Sequence, residues 1–182
     1  MAGRKVIFAL LVSALFTAAL ASASPALAQR DQDWRECQGF DGVTPEQGIA
    51  ACDRIIRSGN ETANGLSAAY NNRGNRNFDR KEYELALTDY NESLRHNPRN
   101  SKTYTNRGTY WEQIKDYDRA ISDHTVAIEL DANNQDAWYN RGVVYRVIGK
   151  RDLAIADFRH ALKLNPRDDD AIKNLRHLGV EP

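Results

Sequence analysis

The tripeptide Asn-Arg-Gly occurs three times in this chain at one constant interval, and each copy follows an aromatic residue and one spacer. The three copies end at Gly74, Gly108 and Gly142. The same interval separates alanines further along, which are Ala86, Ala120 and Ala154. Gapless self-similarity at one period indicates an array of identical supersecondary units. This period constrains the fold more than any other feature of the chain.

Each period is expected to contain two helices. Apolar residues recur at three- and four-residue steps, as on one face of an α-helix; in residues 81–96 they are Tyr83, Ala86, Leu87, Tyr90 and Leu94. Asn97-Pro98 then ends the helix, because proline disfavours helical geometry in the residue before it. The turn between the two helices of each unit contains, in order, Lys81, Lys115 and Gly149. A lone hairpin cannot bury its apolar stripe, so the units must stack.

A unit of about 34 residues with an aromatic residue, a glycine four positions later, an alanine in its second helix and a closing proline resembles the tetratricopeptide repeat. The units are residues 67–100, 101–134 and 135–168. Trp111 and Tyr145 occupy the second aromatic position, whereas Asn77 departs from the pattern, as His124 does at a later aromatic position. The resemblance implies an all-α, right-handed superhelical solenoid of helix-turn-helix units, whose first helices line a concave groove.

The two ends of the array are expected to differ from its three full repeats. Residues 29–66 are predicted to form an N-terminal segment and a partial unit, with Pro45–Ser58 as its second helix and residues 59–65 as a polar loop. Residues 169–180 are predicted to form a capping helix whose apolar residues cover the last unit, with acidic residues favourable at its N-terminus. We expect one domain, without an internal linker.

The first 28 residues have the pattern of a secretory signal peptide. Arg4 and Lys5 precede an apolar run at residues 6–20, and Ala26-Leu-Ala28 follows. The run is short for a membrane span of about 20 residues, which favours cleavage after Ala28 over a retained anchor. The alanine-rich run indicates a bacterial exported protein, located in the periplasm and without stable membrane insertion after cleavage.

Cys37 and Cys52 are the only two cysteines. An exported chain meets an oxidising compartment, so a disulfide bond between them is expected. On chain-entropy grounds such a short closed loop would add about 3 kcal/mol of stability.

Charge and motif content argue against several classes of function. The chain has 25 basic and 25 acidic side chains, which gives no indication of a nucleic-acid or anionic-membrane partner. It has no glycine-rich phosphate loop, no Gly-x-Ser-x-Gly and no histidine pair with metal-ligand spacing. We therefore predict no enzyme activity, no cofactor and no metal site.

An aspartate follows each periodic arginine at the same spacing, which in a helical hairpin places the two charges at one level on facing helices. The expected ion pairs are Arg73 with Asp89, Arg107 with Asp123, and Arg141 with Asp157. The alternative is a row of arginines that captures a ligand carboxylate. The matching period of the acids favours the structural interpretation.

By resemblance to tetratricopeptide repeats, Asn72, Asn106 and Asn140 would form an inner row facing the groove. An amide offers donors and an acceptor to the backbone of an extended ligand; the alternative is that these residues only join neighbouring helices. Further groove residues are predicted to be Asn75, Lys102, Thr109, Gln113, Tyr139 and Arg146. Members of the family that bind chaperone C-termini use a clamp of Lys, Asn and Arg. Only Asn75, Asn106 and Lys102 are reminiscent of it, and the lysine is in the wrong unit, so no such clamp is predicted.

Two functions remain after this reasoning. The first is an exported interaction module that binds an extended peptide or a partner protein in its groove. The second is a structural or assembly protein that acts through self-association of its solenoid, as a homo-oligomer. The fold alone does not identify the partner.

Overall fold

The computed structural model describes residues 25–40 and 42–182. Within these ranges the chain forms nine helices and no strand: α1 (Pro25–Gln38), α2 (Pro45–Arg57), α3 (Ala63–Asp79), α4 (Tyr83–His96), α5 (Ser101–Gln113), α6 (Tyr117–Leu130), α7 (Gln135–Val147), α8 (Arg151–Leu164) and α9 (Asp169–His177). Each helix packs against the next, and α3, α5 and α7 also contact one another in sequence. The all-α solenoid expected from the sequence is confirmed.

Most of the predicted signal peptide, residues 1–24, lies outside the described residues. Its last four residues, 25–28, form the first turn of α1. Among the helices that the structure describes, none has the length and apolar character needed to cross a membrane.

The N-terminal unit is more complete than the sequence indicates, because α1 pairs with α2 as a hairpin. α1 has few apolar residues, so no helical stripe predicts it; polar contacts hold it, together with the Cys37–Cys52 disulfide and the packing of Trp34. Arg54 of α2 bonds Asp33 at 2.8 Å and Glu36 at 2.9 Å. The predicted polar loop at 59–65 is also too long, because α3 begins at Ala63, where the side chain of Thr62 caps the helix.

Capping side chains one period apart connect the units. Asn100 caps α5, the first helix of the second unit, by accepting from the Thr103 backbone N–H, and its amide also donates at 2.9 Å to Ser67 Oγ of α3, the first helix of the first unit. Asn134 caps α7 and reaches Ser101 Oγ at 2.7 Å in the same way. One residue thus ends the turn and ties two units together.

The three periodic glycines allow a ring of the second helix to lie against the backbone of the first. A Cβ atom added at Gly108 would lie 2.5 Å from Cε1 of His124, closer than packed atoms approach. The equivalent atoms at Gly74 and Gly142 would meet the rings of Tyr90 at 2.7 Å and Phe158 at 2.9 Å. His124 is fully buried, as expected for a core histidine, and its Nε2 lies 2.7 Å from Glu112 Oε1.

The turn between the two helices of a unit contains a residue with a positive φ, and the residue type differs between units. Lys115 adopts a φ of 62°, whereas the equivalent residue of the third unit is Gly149, with a φ of 77°. Non-glycine residues in this left-handed region are disfavoured by about 1–2 kcal/mol, part of which is offset by the greater unfolded-state entropy of glycine. We expect Lys115→Gly to raise the free energy of unfolding by up to about 1 kcal/mol in urea denaturation. The reciprocal Gly149→Lys should lower it, and a stabilising effect of that change would contradict the interpretation.

Candidate functional site

The first helices carry a row of asparagines at the same phase, which we call the asparagine ladder: Asn72, Asn106, Asn140 and Asn174. Each amide nitrogen reaches back toward the preceding first helix. Asn106 donates to Asn71 Oδ1 at 2.9 Å, and Asn174 lies 3.4 Å from the Tyr139 hydroxyl. The ladder therefore joins neighbouring units along the inner face of the solenoid.

The two remaining members make contacts of the same kind. Asn140 Nδ2 lies 3.3 Å from Thr109 Oγ1. Asn72 Nδ2 lies 4.0 Å from the sulfur atom of Cys37 in α1, so the first member of the ladder contacts a cysteine rather than a polar side chain.

The ladder bonds leave hydrogen-bonding capacity on each amide. A side-chain amide has two donor hydrogens and an acceptor oxygen. Asn106 and Asn140 each use one donor toward a neighbour, and within the described chain their Oδ1 atoms accept no hydrogen bond. Asn174 uses its amide nitrogen for both the Tyr139 hydroxyl and the Asp170 carbonyl oxygen, and Asn72 Oδ1 lies 3.5 Å from Asn71 Nδ2. Joining helices and contacting a ligand are therefore not exclusive roles for these residues.

Two adjoining cavities lie along the ladder and share Asn72, Asn75 and Asn106 in their walls. The first has a volume of about 330 Å³ and the second about 490 Å³. Both lie within the size range of ligand sites. Thr109 lines the first cavity, and Lys102 lines the second.

Charges along these cavities do not favour an acidic ligand. The basic residues in their walls are Arg76 and Lys102, and the acidic residues are Asp79, Asp131 and Asp136. Carboxylates thus outnumber cations by three to two. The remaining polar contacts are amides and hydroxyls, which suit neutral hydrogen-bonding groups.

The structure separates the other predicted groove residues into groups. Tyr139 and Arg146 line a third cavity of about 300 Å³ against α9, together with Asn174 and Lys173. Gln113 is exposed and lines none of these three cavities. Asn140 is placed beside the first cavity only through its contact with Thr109.

Sequence reasoning missed two contributors to the inner face. Asn174 lies one period after Asn140, so the period itself would have identified it, had α9 not been treated only as a cap. Arg76 lines the first cavity and hydrogen-bonds the Gln38 carbonyl at 3.0 Å. No sequence signal indicated this residue, because its partner belongs to α1.

The periodic arginines and aspartates lie in contact in all three units. The shortest distances are 2.6 Å for Arg73–Asp89, 2.8 Å for Arg107–Asp123 and 2.8 Å for Arg141–Asp157. Each guanidinium makes at least two hydrogen bonds to its carboxylate. The carboxylates are nearly inaccessible to solvent.

Each arginine also reaches the preceding unit through Nη1. Arg73 bonds Asp53 at 2.6 Å, and Arg107 bonds Asn91 at 2.8 Å. In the third unit Arg141 bonds Thr125 at 3.0 Å. These guanidinium groups are engaged within the protein, which argues against the alternative of a ligand-binding arginine row.

Burial opposes these ion pairs. It raises the pKa of the Asp89 carboxyl above its usual value, and hydrogen bonds from Arg73 and Asn77 act in the other direction without cancelling it. The pair therefore lies near the balance of desolvation and attraction that is typical of buried ions.

A disulfide bond joins Cys37 of α1 to Cys52 of α2, with a Cα–Cα distance of 4.8 Å. Both cysteines are fully buried in an apolar cluster with Ala51, Ile55 and Ala69. The bond fixes the end of α1 beside the first cavity, since the neighbouring Gln38 lines it.

Comparison with known proteins places the chain in a structural context. Sequence models described as "Tetratricopeptide repeat" match residues 67–100 and 136–168, the first and third units. No curated protein matches the chain significantly.

Several solved structures are similar. The Arabidopsis OM64 TPR domain is 28% identical over 64% of this chain and 97% of that chain, with a TM-score of 0.62. The second TPR of Spaghetti (RPAP3) bound to HSP90 peptide SRMEEVD is 30% identical over 55% of this chain and 93% of that chain, with a TM-score of 0.53. The second TPR domain of human RPAP3, in complex with HSP70 peptide SGPTIEEVD, is 28% identical over 65% of this chain and 99% of that chain, with a TM-score of 0.60.

Proposed function

Because the chain belongs to the tetratricopeptide-repeat family, we propose that it is a protein-interaction module that binds an extended peptide segment of a partner along its inner face. Two similar structures are complexes with peptides. The observation that carries the proposal is the asparagine ladder beside two adjoining cavities.

The ladder suits the backbone of an extended peptide. Peptide groups present one donor and one acceptor per residue, and the Asn106 and Asn140 amides each retain a free donor hydrogen and a free acceptor oxygen within the described chain. Asn72 and Asn106 stand in the cavity walls, so they are the members that would contact the peptide directly. Asn140 and Asn174 hold α7 and α9 in register beside them.

The peptides bound in two of the similar structures end in EEVD and are therefore acidic at that end. Three carboxylates face two cations in the walls of the two cavities. We therefore propose a neutral, polar peptide as the ligand.

The test selects ligands from a displayed library of random peptides and measures their affinity by fluorescence anisotropy. Binding to Asn72→Ala/Asn106→Ala/Asn140→Ala should be weaker by roughly tenfold or more, since each lost amide bond is worth about 0.5–1.5 kcal/mol. The matched control is Glu129→Ala/Lys163→Ala, at equivalent exposed positions of α6 and α8, which should bind as wild type does. The peptide SRMEEVD is expected to bind more weakly than the selected peptides.

Two outcomes would contradict this proposal. One is full retention of binding by a triple variant with an unchanged circular dichroism spectrum. The other is preferential selection of acidic peptides. Light scattering of the free protein, at the same concentrations, would show a constant higher mass if self-association were the function instead.

We further propose that the chain is an exported bacterial protein that acts in the periplasm. The sequence pattern of residues 1–28 and the Cys37–Cys52 disulfide support this location. Residues 1–28 fused to a reporter enzyme that is active only after disulfide formation should give activity in a bacterial host. A fusion with Arg4 and Lys5 both changed to Glu should give much less, and equal activity would argue against a signal peptide.

A further inference from the structure

A separate cavity of about 440 Å³ lies on the side of the second helices, between α2, α3 and α4. Its apolar wall includes Ile49 and Leu85, and Leu85 is 55% exposed. Asn77 and Asp89, both buried, also line it. None of its lining residues belongs to the asparagine ladder.

The second unit shows what fills the equivalent space. Trp111, one period after Asn77, is buried, and its indole Nε1 donates to Asp123 Oδ2 at 3.0 Å. The Arg119 guanidinium carbon lies 3.9 Å from the centroid of an indole ring of Trp111. In the third unit the equivalent residue is again aromatic, Tyr145.

The first unit retains the polar contact and lacks the ring. Asn77 Nδ2 donates to Asp89 Oδ2 at 2.9 Å, as Trp111 donates to Asp123. Leu85 stands one period before Arg119, which covers Trp111 in the second unit, and Leu85 is largely exposed. By the period of the repeat, the open cavity is therefore lined by the residue, Asn77, whose equivalents in the other two units are aromatic.

The charges around this cavity are satisfied within the protein. Arg73 is bonded by Asp53 and Asp89, and Arg80 is bonded by Glu82. The charged groups of the wall are therefore paired, so an ionic ligand is not needed to neutralise them, and the three carboxylates of Asp53, Glu82 and Asp89 outnumber the two guanidinium groups. This distribution complements a neutral ring that carries an N–H donor.

We propose that this cavity is a docking site for a tryptophan side chain of a partner protein. The bound indole takes the place that Trp111 takes in the second unit, with its faces against Ile49 and Leu85 and its N–H toward a wall carboxylate. Burying a tryptophan removes about 150–250 Å² of surface from water, which makes it an effective anchor. The site is independent of the peptide groove, so either can fail without the other.

The test is an NMR titration of the ¹⁵N-labelled protein with the tripeptide Gly-Trp-Gly as the probe. Saturable shifts are expected for the amides of residues 49, 77, 85 and 88, all of which line the cavity. Asn77→Trp fills the cavity with the ring of the second unit, so its affinity for the probe should fall by roughly tenfold or more. Asn106→Ala, on the inner face, should leave the titration unchanged.

A second variant, Leu85→Ala, keeps the test decisive if Asn77→Trp does not fold. Leu85→Ala changes an exposed residue and is expected to leave thermal stability unchanged while weakening the probe by about threefold or more. Absence of saturable shifts in wild type, or equal binding by Asn77→Trp or Leu85→Ala, would overturn the proposal. A final titration uses free indole. If free indole binds with the same affinity as Gly-Trp-Gly, the assignment to a partner protein is overturned; if it binds more weakly, the assignment is supported.

Discussion

Replacing Asp123 with alanine should lower the free energy of unfolding by about 3–5 kcal/mol, because removing one member of a buried ion pair leaves the other uncompensated. The Asp123 carboxylate accepts from Arg107 Nε at 2.8 Å, from Arg107 Nη2 at 2.9 Å and from Trp111 Nε1 at 3.0 Å. All three donors would lose their acceptor. Urea denaturation followed by circular dichroism measures the loss.

Two controls separate the ion pair from general effects of mutation. Asp118→Ala changes an exposed aspartate of the same helix and should alter stability by no more than about 0.5 kcal/mol. Arg107→Met/Asp123→Leu removes both charges and should be less destabilising than Asp123→Ala alone, since no buried charge is stranded. An Asp123→Ala protein with the melting temperature of wild type would show that the pair contributes nothing to stability.

The sequence predicted the repeating part of this fold well, because one period controls helix phase, turns and packing together. The constant spacing of Arg107 and Asp123, for example, places them on facing helices only if both helices keep their lengths. The second partner of each arginine was not predictable. Asp53, Asn91 and Thr125 differ in residue type, and Asp53 also breaks the period that separates the other two.

The N-terminal hairpin illustrates where sequence patterns fail. α1 has no amphipathic stripe, so its helical state depends on the disulfide and on polar partners such as Arg54. The start of α3 was missed for a related reason, since the Thr62 cap outweighs the low helix propensity of Gly65.

The candidate sites were also only partly predictable from the sequence. The inner position of Asn72, Asn106 and Asn140 followed from periodicity and the family resemblance, but their bonds to neighbouring helices required three-dimensional geometry. Asn77 was visible in the sequence as a departure from the aromatic pattern. The sequence did not show whether neighbouring side chains fill the resulting space, because the cavity wall includes Ile49, which belongs to a unit outside the regular period.

Reducing the disulfide is expected to lower the free energy of unfolding by about 3 kcal/mol. The two bonded cysteines, Cys37 and Cys52, are 15 residues apart, and the loop that they close restricts the unfolded chain. Urea denaturation with and without a thiol reductant measures the difference. The Cys37→Ala/Cys52→Ala variant should be destabilised to a similar extent and should not respond to the reductant.

Hydrogen exchange would show where the loss acts. Besides this bond, α1 is joined to the rest of the chain by the packing of Trp34, by the Arg76–Gln38 hydrogen bond and by partly exposed ion pairs. The ion pairs contribute little. Faster exchange should therefore appear first in α1 and α2, whereas α5 to α8 keep their protection because their contacts do not involve the cysteines. Uniform loss of protection would contradict this local role. Loosening of α1 would also move Gln38 away from the first cavity, so weaker binding of selected peptides under reducing conditions would link the oxidation state of this bond to the inner face.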